Sequence, residues 1–371
     1  MKKIIKVLFY CMVMLVILEI TVRFSFSNLQ VFGKICGYSE VWWRTQWLRN
    51  KSIKAENNPC IIFNIFDSLR GWALKPNIKN MQIFGKTLNS NSKGVRGAVE
   101  YTYSKPRDKT RILVLGDSLT FGEEVSDNET YPYYLQQILP NVEVINFGVN
   151  GYGHDQMLIY LKTEGIKYKP DIVILGFVGI DIERNQLEFR DYAKPKYELV
   201  NNELILINVP VPPPPRILHQ KRYKLKIVEL MNILFLYRKY FIKVDINPER
   251  RDIETMHHQV DEFYLTELIL DEIIKTSTRI KAIPVFIYLP QMFEIKKLMK
   301  NKEIENEQFF FSYCKNKGMH NFSLSKNYLS DKKQYINQEN HDCGHLNANG
   351  HFTAAKGIAE YLLNNNLVSK D

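Results

Sequence analysis

Apolar and polar positions change rhythm several times along the chain. Val7 to Leu18 is an unbroken apolar run, preceded by Lys2, Lys3 and Lys6 and interrupted by Glu19 and Arg23. A membrane span needs about 20 apolar residues, which this run reaches only when Ile20 to Phe26 are included. Basic residues before an apolar core fit an export signal. No small-x-small cleavage site follows, so residues 1–26 are expected to be an uncleaved signal anchor. Its lysines would stay in the cytoplasm and the rest of the chain would be exported.

From Arg111 short apolar runs alternate with helical periodicity. The runs Arg111–Gly116, Val142–Val149, Asp171–Val178, Ala282–Leu289 and Met319–Leu324 read as strands. The third is almost wholly apolar, as a parallel strand covered on both faces should be. Thr130–Leu139, Gln156–Ile166 and Ala348–Asn364 carry the spacing of amphipathic helices. Alternation of this kind predicts a doubly wound α/β sheet. Residues 184–281 break the rhythm, because a crossover needs only about 10–12 residues. This insertion contains the stiff run Val209 to Pro215 and two helical patterns, Leu225–Tyr240 and Asp252–Thr276. A lid or acceptor-binding wall is its expected role, with extra packing as the alternative. Before the sheet, residues 27–105 form an aromatic-rich, turn-dense lead-in with Trp42, Trp43, Trp47, Phe63, Phe66 and Trp72. The expected organisation is therefore 1–26 anchor, 27–105 lead-in, and 106–371 catalytic domain interrupted by 184–281.

Composition changes this picture little. The 371 residues carry a formal net charge of +10, with lysines scattered along the chain. That distribution argues against nucleic acid as a partner. Of the five cysteines, Cys11 lies in the anchor; Cys36, Cys60, Cys314 and Cys343 could form two disulfides in an oxidising compartment or remain thiols.

Candidate chemistry lies where the first strand ends. Gly116-Asp117-Ser118-Leu119 puts a hydroxyl at the carboxyl edge of the expected sheet, where ligands bind in open α/β folds. Near the C-terminus, Asp342-Cys343-Gly344-His345 supplies a carboxylate and an imidazole three residues apart. A nucleophile, a base and an orienter are what covalent acyl transfer requires. Helix capping is the structural alternative for Ser118, Asp342 and His345. A metal site built on His341, Cys343, His345 and His351 has spacing unlike common zinc sites, and His257-His258 reads as a solvated pair, so no metal is expected.

Together with Asn146-Phe147-Gly148-Val149-Asn150-Gly151-Tyr152-Gly153, these segments resemble the first, second and fifth blocks of the SGNH (GDSL) hydrolase superfamily, over about residues 69–365. The resemblance implies a three-layer α/β/α, flavodoxin-like parallel sheet. It implies Ser118 as nucleophile, His345 as base and Asp342 as orienter, with the backbone N–H groups of Ser118 and Gly151 as oxyanion donors. The third block departs from the family pattern: Ile180 stands in Gly176-Phe177-Val178-Gly179-Ile180-Asp181 where an asparagine donor is expected. Asn150 or Asn185 are candidate substitutes, while Asp117 and Asp181 are candidate supporting residues.

The function so implied is a cofactor-free serine esterase of the bacterial cell membrane, with its catalytic domain on the exported side. Its substrate would be an O-acyl ester, O-acetyl being favoured, on an envelope or exported polysaccharide or another small ester. A polysaccharide O-acyltransferase using the same triad is the first alternative. A non-catalytic envelope scaffold with a degenerate oxyanion hole is the second.

Overall fold

The computed structural model describes residues 2–27, 45, 63–190, 193–201, 203–213, 225–239, 261–330, 335 and 345–369. The chain divides into two compact units. One comprises residues 1–58, 187–193 and 213–259; the other comprises 59–186, 194–212 and 260–371.

In the first unit, α1 (Lys2–Ser27) is one continuous helix. Its 26 residues rise about 39 Å, enough to cross a bilayer. Glu19 and Arg23 do not break it, because Arg23 Nε donates to Glu19 Oε1 at 2.7 Å across one turn. The most apolar 18-residue stretch of this helix has a mean hydropathy of 2.3, a value that membrane spans and signal sequences share.

The second unit begins with two antiparallel hairpins, β1 (Asn64–Asp67) with β2 (Gly71–Leu74), and β3 (Met81–Ile83) with β4 (Lys86–Leu88). The main body then alternates β5 (Thr110–Gly116), α2 (Ser118–Phe121), α3 (Tyr131–Ile138), β6 (Val142–Gly148), α4 (His154–Thr163), β7 (Ile172–Phe177) and α5 (Ile180–Arg184). A hairpin of β8 (Lys196–Val200) and β9 (Glu203–Ile207) follows. Next come α6 (Lys226–Tyr237), which belongs to the first unit, and α7 (Glu262–Arg279). The chain continues through β10 (Ile283–Tyr288), α8 (Met292–Leu298), α9 (Glu305–Lys317), β11 (His320–Ser323), α10 (Ser325–Ser330) and α11 (Ala348–Asn364).

Five strands form one parallel sheet in the order β11-β10-β7-β5-β6. Numbered by their sequence among themselves, that is 2-1-3-4-5 read from the other edge, the flavodoxin-like order. β5 is the strand from which the chain leaves to one side for β6 and to the other for β7. Its carboxyl end is therefore the switch point where such sheets bind ligands. Both faces are covered, giving the three-layer α/β/α architecture. On one face Ile112, Val114, Ile172, Ile174, Val285 and Ile287 pack with Leu135 of α3 and with Ala354, Ile358 and Leu362 of α11. Strand alternation turns Leu113 and Leu115 to the opposite face, where α4 and α7 pack against one another. Burial on both faces explains why the central strands read as continuous apolar runs.

Of the segment 184–281, residues 184–190, 193–201, 203–213, 225–239 and 261–281 are described. Its second helical pattern begins at Glu262, capped by Asp261 Oδ1 accepting from Phe263 N–H at 2.9 Å, and runs to Arg279. The helix buries Leu265, Ile269, Leu270 and Ile273 and leads directly into β10, so it is the crossover helix of the sheet. The expected start at Asp252 lies outside the described residues. So do Trp42, Trp43, Trp47, Cys36, Cys60, Cys343, His257, His258, His341, Pro214 and Pro215. Among the described residues Cys314 is a buried free thiol, and burial pushes its pKa up to about 12.

A buried ion pair closes the loop after α5. Lys194 Nζ pairs with Asp155 Oδ2 and also donates to Arg184 O at 3.1 Å and Pro195 O at 3.0 Å; both side chains are fully buried. Removing one partner of such a pair leaves an uncompensated buried charge. Lys194→Met is expected to lower unfolding free energy by about 3–5 kcal/mol, and denaturant unfolding of the full chain in detergent checks it. A loss below about 1 kcal/mol would mean that water reaches Asp155.

Candidate active site

The turn after β5 is fixed by hydrogen bonds that leave the serine at its apex. Asp117 caps α2, its Oδ1 accepting from Leu119 N–H at 2.9 Å. The other oxygen, Oδ2, accepts from Arg184 Nη1 at 2.9 Å. The same nitrogen donates to Asp181 Oδ1 at 2.6 Å and to Tyr152 O at 3.1 Å. Burial alone would lower the Arg184 pKa, but Asp181 and Asp117 outweigh it and hold the value above the ordinary one. Two carboxylates and one guanidinium thus lock the serine turn to α5 without exposing charge. Asn146 fastens the turn from the β6 side: its Nδ2 donates to Thr120 O at 3.0 Å, and its Oδ1 accepts from Gly148 N–H at 2.9 Å. A Cβ on Gly148 would meet Phe121 N at 2.3 Å, so only glycine lets these two turns approach.

Ser118 is buried, 7 % exposed. Its Oγ lies 3.0 Å from His345 Nε2, across 227 positions of sequence. His345 sits just before α11. Its neighbour Leu346 is buried, and Asn347 caps the helix by accepting from Gly350 N–H at 3.0 Å. Asp342 lies outside the described residues. Among the described residues two carboxylates approach the imidazole: Glu123 Oε2 at 3.8 Å from Nε2 and Glu124 Oε1 at 3.7 Å from Nδ1. These are ion-pair distances rather than hydrogen bonds, and Nδ1 has no hydrogen-bond partner among the described residues. Burial alone would lower the His345 pKa; the charges of Glu123, Glu124 and Asp117 outweigh it and raise the pKa above its usual value. Glu124 reaches this position on a left-handed backbone, φ +68°, which few non-glycine residues adopt and which clusters at functional sites. By contrast, His351 is buried and accepts from Tyr131 N–H at 3.2 Å on Nδ1. Burial, Arg96 and His345 together hold its pKa at about 3, so it stays neutral.

Donors for an oxyanion are also located. Gly151 has φ +76°, a backbone suited to glycine. No backbone hydrogen bond among the described residues uses the N–H of Ser118 or of Gly151. Ile180 packs its side chain against the core cluster, so the third block offers no side-chain donor at that position. The Asn185 amide is already committed: Oδ1 accepts from Asp155 N–H at 3.2 Å, while Nδ2 contacts His154 Nδ1 at 3.2 Å and donates to Thr266 Oγ1 at 2.9 Å. Asn150 is held by the lead-in. Its Oδ1 accepts from Asn64 Nδ2 at 2.9 Å, and its carbonyl accepts from Trp72 Nε1 at 2.9 Å. Its Nδ2 has no acceptor among the described residues. Asp181 serves Arg184, as above. No group of three metal-ligating side chains occurs among the described residues.

Sequence reasoning missed Glu123, Glu124, Arg184, Asn64 and the structural part of Trp72. Adjacent acids five and six residues beyond Ser118 were a visible signal, but only the left-handed turn shows where they point. A small surface cleft, with room for little more than a water molecule, adjoins the acids and is lined by Phe63, Leu88, Arg96, Phe121 and Val125 among others. Neither Ser118 nor His345 lines it.

No family model and no curated protein matches the chain. Solved structures that it is similar to include a lipase/acylhydrolase from Enterococcus faecalis, 13% identical, covering 71% of this chain and 98% of that one with a TM-score of 0.40. A member of the lipolytic G-D-S-L family from Veillonella parvula is 12% identical, over 67% and 96% of the two chains, with a TM-score of 0.36. A two-domain esterase active on acetylated mannans is 12% identical, over 71% of this chain and 51% of its own, with a TM-score of 0.39. At these values no residue role is taken from the likeness.

The raised His345 pKa has a kinetic consequence. A general base works only when neutral, so activity should fall as pH drops through a value above the ordinary imidazole pKa of about 6.5. Neutralising a nearby carboxylate removes charge that favours the imidazolium. Glu124→Gln is therefore expected to move the acid limb of kcat/KM to lower pH, as a pH–rate series with a soluble aryl ester would record. An unmoved limb would show that water screens the carboxylate from the ring.

Proposed function

We propose that this protein is a serine esterase of the SGNH type, in which Ser118 and His345 perform acyl transfer. The observation that carries this reading is the 3.0 Å approach of His345 Nε2 to Ser118 Oγ at the switch point of the sheet. The hydroxyl attacks the ester carbonyl while Nε2 takes its proton, forming an acyl-enzyme through a tetrahedral intermediate. The imidazolium formed faces Glu123 and Glu124. It then returns the proton to the leaving alcohol. Water attacks the acyl-enzyme in the second half, with the same imidazole as base. The N–H groups of Ser118 and Gly151 receive the oxyanion. Asn150 replaces the missing block-three asparagine, because its Nδ2 has no other acceptor while the Asn185 amide is fully engaged. In this reading Asp342 orients His345 as it does in the family that the sequence resembles. The substrate is an O-acyl ester of a carbohydrate or another small alcohol, met at the outer face of a membrane that α1 anchors.

Treatment with a fluorophosphonate is expected to label Ser118 covalently and to block ester hydrolysis. Ser118→Ala should abolish both, and His345→Ala should cut kcat by about 10⁶. Labelling that survives in Ser118→Ala would overturn the reading. Asn150→Ala should lower kcat by about 10² with little change in KM, as removal of one oxyanion donor does. A change confined to KM would assign the amide to substrate binding instead.

A further inference from the structure

The helix α6 is short, apolar and packed against the C-terminal half of α1. Glu19 of α1 accepts from the backbone N–H of Lys226 at 2.9 Å and of Ile227 at 2.9 Å. These are orphan donors at the start of a helix, where the dipole also favours a negative charge. Glu19 is held in turn by Arg23. Farther along, Ile233 and Leu236 of α6 form a small core with Phe189, against which Phe26 of α1 packs. α6 therefore starts level with Glu19 and runs in the same direction as the last turns of α1. The side chains that do not face α1 are apolar as well. Val228, Met231, Leu234 and Phe235 are exposed, Met231 and Phe235 each by 64 %. Their spacing of three, three and one residues places them on one helix face. Ile20 and Phe24 extend that apolar surface onto α1. Arg238 and Lys239 stand exposed at the C-terminal end of α6.

We propose that α6 lies in the lipid interface beside α1, with Val228, Met231, Leu234 and Phe235 in the acyl region and Arg238 and Lys239 at anionic headgroups. The occupant follows from continuity. The surface of α6 prolongs that of a helix long and apolar enough to span a bilayer, and an apolar face ending in basic residues is the pattern of interfacial helices. Glu19 is then explained. A helix entering lipid needs its first N–H groups satisfied from within the protein, because no water is there to do so. An acidic side chain near the end of the span supplies that acceptor and completes its own neutralisation through Arg23. The insertion thus contributes a crossover helix to the sheet and a second membrane contact to the anchor. This inference rests on α1 remaining in the bilayer and not on the esterase reading.

The test uses the full chain in vesicles of phosphatidylcholine and phosphatidylglycerol. Benzoylphenylalanine replaces, one at a time, Met231, Phe235, Phe24 as a reference on α1, or Ile205 as an exposed apolar control on β9, and products of illumination are identified by mass spectrometry. Lipid adducts at 231, 235 and 24, with none at 205, are the expected result. Glu19→Leu should cut the adduct at 235 at least threefold and leave that at 24 unchanged. Adducts at 24 without adducts at 231 or 235 would overturn the proposal. So would protein–protein adducts from 235, which would assign the face to a second copy of the chain. Absence of lipid adducts at all positions would also overturn it, by removing α1 from the bilayer. Fluorophosphonate labelling of the same preparations reports on Ser118 separately, so loss of the esterase reading would leave these outcomes unaffected.

Discussion

A buried guanidinium holds the reactive turn in place. Arg184 meets Asp117 from one side and Asp181 from the other, and its third contact is the carbonyl of Tyr152. Three segments that follow three adjacent strands, β5, β6 and β7, are thereby tied at one point. The arrangement costs desolvation for three charges, offset by the two ion pairs, although Arg184 Nε has no hydrogen-bond partner among the described residues. Rigidity at the carboxyl edge of the sheet is the benefit. The serine on that turn must sit within hydrogen-bond reach of an imidazole carried by a different element, and small displacements of a nucleophile are expensive. The neutralisation of Asp117 by Arg184 also shapes the field at His345, where Glu123 and Glu124 do most to raise the pKa.

The lead-in acts through the same edge. Asn64 and Trp72, from the hairpin of β1 and β2, hold the side chain and the carbonyl of Asn150. Tyr152 Oη returns a hydrogen bond to Trp72 O at 2.6 Å. Val211 N–H donates to Ser68 O at 2.7 Å, which fastens the proline-rich segment to the hairpin turn. A segment with little regular structure thus braces the loop after β6, where Asn150 and Gly151 lie. These hydrogen bonds from separate elements hold the loop in a defined position.

Much of the fold was legible because parallel strands covered on both faces are apolar throughout. The five runs that read as strands became the five strands of the sheet, with no end moved by more than one residue. Local chemistry accounts for the larger differences. The described crossover helix is capped by Asp261, a local signal that periodicity does not carry. β1 to β4 and the β8–β9 hairpin are three to five residues long, too short for alternation to mark them. α9 contains the run Phe309-Phe310-Phe311, which blurs a helical face. In the site, Ser118 and His345 were legible from residue type and order. Arg184, Glu123 and Glu124 were not, because charged residues near a helix end ordinarily read as solvated surface. Their roles depend on which way a turn points, and that is a tertiary fact.

The glutamates complete the argument about the imidazole. A base that is too weak cannot take the serine proton, and one that is too strong stays protonated and idle. Burial pushes His345 towards the first failure. Two carboxylates at 3.7 and 3.8 Å push it back, and they do so without the directional bond that would fix the ring tautomer. A charge at this distance favours the imidazolium equally in either ring orientation. The glutamates can therefore supply stabilisation of the charged intermediate, whereas orientation of the ring needs a separate acceptor on Nδ1. In the family that the sequence resembles, that acceptor belongs to the position of Asp342. In the proposed reading the two requirements, charge and direction, fall to different carboxylates: Glu123 and Glu124 on the serine turn supply charge, and direction is the role that the sequence resemblance implies for Asp342.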